Sequence, residues 1–518
     1  MKPISLMRGF LTVGFWTLLS RIAGFGRDVM MAAYLGSGPV AEAFLVAFSL
    51  PNMFRRFFAE GAFNMAFVPM FAKKLGGGED AEGFARDAYW GMSAILIGFT
   101  LIGMAAMPWL VLAMAAGFAG DARYEMAVLF GNIAFPYILF ISLTALLSGM
   151  LNAAGRFLAT SAVPILMNVL FMGGLWLSHQ VGWDAGLTLA WTVPLAGIAQ
   201  LVLIWWAVRN AGFRMGFRRP RMTPELKRLA IIMGPALLAG GVVQINLIVG
   251  RQVASFTEGA VAWLSYADRL YQLPLGVVGI AIGVVLLPDL SRRLRASDAA
   301  GGQDAFNRAT EVSLALTIPA AVALMVIPVP LIAALFERGA FNASDTANTA
   351  LALAIYGAGL PAFVLHKVLQ PLFYAREDTR RPFNYAVAAL VINAAVAVGL
   401  MPFIGFAAAA LGTTVAAWGM VAQLAWGARS MGQAARTDAR LRQRLSRIVL
   451  AAVIMGVVLW GVSDLLAPAL ATPGRRSLAL LALVMAGIVS YFGAGFALRA
   501  FRLSELRAAL RRDRPPIP

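Results

Sequence analysis

The stretch Ser20-Arg21-Ile22-Ala23-Gly24-Phe25-Gly26-Arg27-Asp28 puts two arginines and an aspartate inside the first long apolar segment, residues 9–34. The next apolar segment, 40–72, carries Glu42, Arg55, Arg56 and Glu60 around Leu50-Pro51-Asn52. Later apolar segments add Arg251, Asp268, Arg269 and Lys367. Cations therefore outnumber acids within segments that otherwise belong in a bilayer. A charge at bilayer depth costs at least ~2.5–3.5 kcal/mol, so it faces a partner or a water-filled path. An inward-facing cationic set is what a carrier of an anionic substrate needs.

Working outward, the whole chain fits a membrane. Of its 518 residues 60% are hydrophobic and 13% charged, against about a quarter charged in soluble domains. Mean hydropathy is +0.76. There is no cysteine, hence no disulfide framework and no thiolate metal site. Met1-Lys2-Pro3-Ile4-Ser5-Leu6 precedes an apolar run too long for a cleaved signal peptide and is read as a retained signal anchor. The net charge of +18 is assigned to membrane topology rather than to nucleic acid.

Fourteen apolar segments are long enough to span ~30 Å of hydrocarbon: 9–34, 40–72, 88–115, 124–152, 158–178, 185–207, 229–255, 260–288, 310–335, 347–374, 383–402, 407–428, 448–467 and 477–498. Their connections alternate in charge. The even ones are basic, as in Arg214, Arg218, Arg219, Arg221, Lys227 and Arg228, or Arg436, Arg440, Arg442, Arg444 and Arg447. The odd ones hold only Arg123, Arg338, Arg475 and Arg476. Since Lys and Arg stay cytoplasmic, this predicts fourteen helices with both termini cytoplasmic. Pro51 and Asn52 are expected to break the second span, because proline removes a backbone donor and broken helices at membrane depth line cavities.

A shift of 219 residues lays Glu42–Pro69 on Val261–Pro288. Phe44 then meets Trp263, Pro69 meets Pro288, and Lys73-Lys74 meet Arg292-Arg293. Phe135-Pro136 and Leu360-Pro361 likewise each precede a basic connection. The expected organisation is an N-terminal six-helix bundle at 1–215 and a second at 222–430. Two further helices follow at 443–500, then a basic cytoplasmic tail at 501–518. Parallel repeats of this kind place a substrate site between the halves.

No enzyme signature is present. His179 and His366 lie in no metal-binding spacing, Gly76-Gly77-Gly78 sits in a polar connection, and the methionines are scattered through apolar spans. Some embedded charges have structural readings: Arg27 and Asp28 as a cap at a helix end, Arg55 with Glu60 as a pair. Asp268 and Arg269 are adjacent and point apart on a helix. The cationic surplus still calls for an anion, and the planar arginine fork suits phosphate.

Ser20-Arg21…Gly24-Phe25…Arg27-Asp28, Leu50-Pro51-Asn52…Arg55-Arg56, and Phe58-Ala59-Glu60-Gly61-Ala62-Phe63 through Pro69 resemble the MurJ (MviN) family of lipid II flippases, within the multidrug/oligosaccharidyl-lipid/polysaccharide exporter superfamily. Tyr266-Ala267-Asp268-Arg269-Leu270 and Phe135-Pro136-Tyr137 continue the likeness. The resemblance implies an all-α integral membrane protein. It has two six-helix bundles around a central cavity and two extra C-terminal helices forming a groove for a lipid tail. It implies a substrate, undecaprenyl-pyrophosphate carrying a disaccharide-pentapeptide. This lipid would move to the periplasmic leaflet of the bacterial inner membrane by alternating access, for peptidoglycan synthesis.

On this resemblance the pyrophosphate-binding arginines are Arg21, Arg27, Arg55 and Arg269. The cavity or gating acids are Asp28, Glu42, Glu60 and Asp268, and Arg56, Arg251 and Lys367 are secondary cavity candidates. Position 42 is Glu where Asp is common, Ser49 stands where some relatives have Lys, and Gln272 where some have an acid. Expected partners are lipid II, membrane lipids and cell-wall synthesis enzymes. No cofactor is expected, and the cycle is coupled to a proton, a sodium ion or the membrane potential. The rivals are a flippase for another undecaprenyl-pyrophosphate oligosaccharide, a drug/cation antiporter and a non-transporting scaffold. An antiporter for cations would want an acidic cavity, and a scaffold has no use for embedded charge.

Overall fold

The computed structural model describes residues 6–55, 62–281, 286–296 and 298–501. Every regular element among these residues is a helix. Short polar side chains set many of the starts. Asp80, Asp184, Asp298 and Asp438 each accept a hydrogen bond from the backbone N–H three residues on, at 2.6–2.8 Å. Such caps satisfy donors that a helix start leaves unpaired. Thr223 does the same ahead of Pro224, whose missing N–H is harmless in a first turn.

The chain forms two compact units: Met1–Ala262 with Arg338–Asn342, and Trp263–Glu337 with Ala343–Pro518. The helices of the first are α1 (Leu6–Leu35), α2 (Pro39–Arg55), α3 (Ala62–Gly77), α4 (Ala81–Ala105), α5 (Met107–Met114), α6 (Ala122–Ala134), α7 (Tyr137–Ala153), α8 (Leu158–Val181), α9 (Ala185–Asn210) and α10 (Pro224–Ser255). The chain continues through α11 (Ala260–Ala281), α12 (Leu287–Arg295), α13 (Ala299–Val326), α14 (Pro328–Phe336), α15 (Ala343–Tyr374), α16 (Arg380–Ile404), α17 (Ala407–Ala428), α18 (Ala439–Leu465), α19 (Ala467–Ala471) and α20 (Arg476–Ala497). The expected division near 215–222 falls between α9 and α10, and α10 packs within unit 1 against α3 and α5.

Each of the fourteen expected spans coincides with one helix or with two in tandem. Among the described residues, ten helical stretches are long and apolar enough to cross a membrane. The protein is a multi-pass membrane protein. Large apolar side chains such as Trp109, Trp176, Trp206 and Phe403 are exposed, as a lipid-facing surface requires. Helices approach closely over small residues, the usual basis of packing in a bilayer. In unit 1 a Cβ on Gly197 would stand 2.8 Å from the Tyr137 ring. In unit 2 the run Ala407–Ala410 is buried on α17.

Proline divides some spans and not others. Tandem helices meet at Ala106 before Pro108, at Phe135-Pro136, and at Ile327 before Pro328. The expected break at Pro51-Asn52 is absent: α2 runs through both residues to Arg55. Around Pro51 the Asn52 amide donates to the Phe48 carbonyl at 2.8 Å, and Ser49 Oγ to the Leu45 carbonyl at 2.6 Å. Proline is tolerated inside membrane helices. Pro361 also lies inside an unbroken helix, so the two Pro-containing spans of the repeat differ. Arg56, Glu60 and the tail beyond Phe501 lie outside the described residues.

Candidate functional site

Embedded charge is the feature to be explained, and each unit handles it separately. Among the described residues of unit 1 the most deeply buried ion is Glu42, in the first turn of α2 and 0% exposed. Its partner is Arg123, from the first turn of α6, with Nη1 2.9 Å from Oε2. Arg123 Nε also donates to Asp121 at 2.6 Å, and its guanidinium lies 4.5 Å from the centre of the Phe118 ring. Asp121 caps α6, and the bonds from the Arg123 backbone and side chain hold its carboxyl below the usual carboxylate range.

The second Glu42 oxygen accepts the Val261 backbone N–H at 3.0 Å, in the first turn of α11. A carboxylate among helix N-termini is favoured by the backbone dipoles. Neighbouring bonds fix the end of α10. Gln252 accepts from the Ala116 amide and donates to the Leu112 and Ala113 carbonyls, while Ser255 Oγ accepts from the Gly117 amide. A Cβ on Gly117 would lie 2.5 Å from the Phe256 nitrogen, so only glycine permits this approach.

On α1, Arg27 and Asp28 are both buried and pair with each other, Nη2 to Oδ1 at 2.7 Å and Nε to Oδ1 at 3.0 Å. They do not cap a helix end, because α1 continues to Leu35. The Arg27 guanidinium lies 5.7 Å from the Phe171 ring of α8. Arg21 is exposed one and a half turns earlier, and Arg55 is half-buried at the last residue of α2.

A small cleft of about 80 Å³ lies in unit 1 between α2, α5 and α10. Ser49, Asn52, Met53, Met114, Gln244, Leu247, Ile248 and Arg251 line it. Arg251 Nη1 donates to the Leu45 carbonyl at 3.3 Å. A cation thus borders Ser49 from α10, although position 49 itself is neutral.

In unit 2, Asp268 on α11 is half-buried and accepts from the Gln272 amide one turn on. An acid at 272 could not donate that bond. Arg269 is exposed and Lys367 half-buried on α15. A second buried ion group ties α13 to α18, which sequence reading missed because its arginines counted only as cytoplasmic charge. Glu311 accepts from Arg308 and Arg444, with Arg440 at 3.5 Å, and Arg308 also pairs with Asp438. Further along α13, α18 and α20, an apolar groove runs past Pro319, Ala323, Met455, Leu459, Gly487 and Tyr491. Tyr491 donates its hydroxyl to the Ala315 carbonyl at 2.6 Å and so closes one end of the packing.

The charges read from sequence therefore stand as follows. Arg27 with Asp28 and Glu42 are buried and paired, Arg21 and Arg269 reach the surface, and Arg251 lines a cleft. Among the described residues no three acids, histidines or cysteines gather as a metal site.

The profile of the family described as "Lipid II flippase MurJ" matches residues 31–473. A probable lipid II flippase MurJ of Rhizobium meliloti (strain 1021) is 44% identical, over 98% of this chain and 97% of its own length. A lipid II flippase MurJ of Burkholderia cenocepacia is 34% identical over 88% of this chain and 90% of its own. Among solved structures, a lipid II flippase MurJ in an inward closed conformation matches with a TM-score of 0.79 at 24% identity, over 94% of this chain and 99% of that one. An inward-facing multidrug resistance MATE family transporter matches with a TM-score of 0.69 at 14% identity, covering 81% and 96%. The two structural likenesses bear on the fold alone.

Proposed function

We propose a function that proceeds from one fact: the chain belongs to the lipid II flippase MurJ family. It moves lipid II, an undecaprenyl-pyrophosphate bearing a disaccharide-pentapeptide, from the cytoplasmic to the periplasmic leaflet of the bacterial inner membrane. The end-to-end family match carries this proposal, and the embedded arginines supply its physics. A pyrophosphate crossing hydrocarbon must exchange water for fixed donors, and arginine remains charged at any physiological pH.

Arg21, Arg27 and Arg55 of unit 1 and Arg269 of unit 2 act on the pyrophosphate during transport. Asp28 holds the Arg27 guanidinium at 2.7 Å until an anion competes for it. Glu42, Glu60 and Asp268 serve as gating acids that favour one state of an alternating-access cycle, with Arg56 and Lys367 as secondary cavity cations. The groove past Ala323, Leu459 and Gly487 takes part of the prenyl tail, since its lining is apolar. Both termini lie in the cytoplasm, where the basic connections remain. No bond is made or broken, and the protein works as a transporter rather than an enzyme. A proton, a sodium ion or the membrane potential drives the cycle; one crossing charge is worth ~2.3 kcal/mol per 100 mV. Cell-wall synthesis enzymes receive the product.

Reconstitution tests this directly. Vesicles carrying the purified protein and lipid II on one leaflet should expose the lipid to a polymerising enzyme on the other side. Exposure no faster than in protein-free vesicles would refute the assignment.

A further inference from the structure

We infer that the connection between α9 and α10 is a strap in the membrane interface that binds the phosphate headgroups of anionic lipids. Arg214 and Arg219 hold the phosphates, and Phe217 and Met222 rest at the acyl boundary. This contact with the bilayer is independent of what the protein transports.

The connection is fixed in place. Residues 213–223 are extended rather than helical and run beside the first turns of α4. Arg221 sets Nε and Nη2 at 3.2 and 3.1 Å from the two carboxylate oxygens of Asp87. Arg218 Nε lies 3.1 Å from one of the same oxygens. Asp87 is buried, so the bidentate fork is sheltered from water. The Trp90 indole N–H donates to the Gly216 carbonyl at 3.0 Å. A segment held at these points presents a constant outer face.

That outer face mixes free cations with apolar side chains. Phe217 is 75% exposed and Met222 70%. Arg214 and Arg219 are exposed, and neither makes an ion pair or a side-chain hydrogen bond among the described residues. Asp87 is already shared by Arg218 and Arg221, so it does not neutralise them. Guanidinium heads among phosphates and apolar bodies below them are how an amphipathic segment sits at a bilayer surface.

Depth selects the occupant. Trp90 lies near the start of the apolar part of α4, which begins at residue 88, and its ring is 4.8 Å from that of Phe217. Tryptophan favours the boundary between water and hydrocarbon. Phe217 therefore stands where hydrocarbon begins, with Arg214 three residues before it and Arg219 two after. At that level a segment meets lipid, and free cations there attract anionic headgroups.

The test exploits the absence of cysteine, which makes a single label unique. Full-length Phe217→Cys protein carries a bimane there, in nanodiscs holding a fixed small fraction of a lipid with a brominated tail. That lipid is either phosphatidylglycerol or phosphatidylcholine. Brominated phosphatidylglycerol should quench the label about threefold more than brominated phosphatidylcholine, and added salt should shrink the difference. Adding Arg214→Gln and Arg219→Gln should bring the two lipids to parity. Quenching by neither lipid overturns the inference, since the strap then faces water or a protein. Equal quenching by both before the arginines are changed overturns the headgroup preference, and an undiminished preference afterwards removes it from these two arginines. The comparison of the two lipids on the singly labelled protein does not depend on how the arginine variants fold.

Discussion

The Val261 amide donates to Glu42 at 3.0 Å, across 219 residues, the same separation that superposes the two halves of the sequence repeat. Glu42 therefore touches its own counterpart in the repeat, and its other oxygen holds Arg123 at 2.9 Å. One carboxylate thus joins the starts of α2, α6 and α11. Removing one partner of a buried ion pair costs ~3–5 kcal/mol, because the other charge is left uncompensated. Glu42→Ala and Arg123→Ala should each lower the melting temperature of the purified protein clearly. The double variant should lose much less than the sum of the two. Additive losses in a double-mutant cycle would show that the pair carries no coupling.

Arg27→Ala and Arg269→Ala should each abolish rescue of a flippase-depleted strain while the protein still reaches the membrane. Lys at either site should rescue partially, since it retains the charge without the bidentate fork. Full rescue by either Ala variant would remove that arginine from the pyrophosphate cradle.

Glu311 binds Arg308 and Arg444, and so fastens α18 to α13. Glu311→Ala leaves a cluster of arginines with less compensating charge. Limited proteolysis of the variant should cut the connection 432–438 at least several-fold faster than in the wild type, ahead of cleavage elsewhere. An unchanged rate would mean that apolar packing of Ala451, Met455 and Leu459 holds these helices unaided.

A side chain at Gly487 would crowd one wall of the groove between α13, α18 and α20, since a Cβ there would lie 3.0 Å from Leu459. Gly487→Leu should weaken binding of lipid II with its full prenyl chain about tenfold and leave a short-chain analogue within about twofold. Equal weakening of both would show that the effect is not on the tail.

Much of this architecture is legible in the sequence, because apolar length and the alternation of loop charge are one-dimensional signals. The fourteen spans emerge from them, and each coincides with one helix or with two in tandem. Pro51 misleads, since a proline in a membrane helix does not have to end it, and α2 runs on to Arg55. The partner of Glu42 is hidden for a different reason: Arg123 lies 81 residues away, and only folding joins them. A signal for it did exist. Arg123 is one of four cations on the side of the membrane where cations are scarce, and a residue that defies the topological bias calls for a local partner. Arg476, another of the four, pairs with Glu337 at 3.1 Å. For Arg27 and Asp28 a cap at a helix end is one structural reading that the sequence leaves open, but α1 continues past them and the arginine stem folds back onto Asp28.

The central claim is transport of lipid II by this protein. The most direct measurement is the accessibility of lipid II at the outer leaflet of living cells after rapid inactivation of the protein. Transport by this chain predicts that outer-leaflet lipid II falls within minutes while the total pool accumulates. Unchanged accessibility, in cells with no other lipid II flippase, would contradict it.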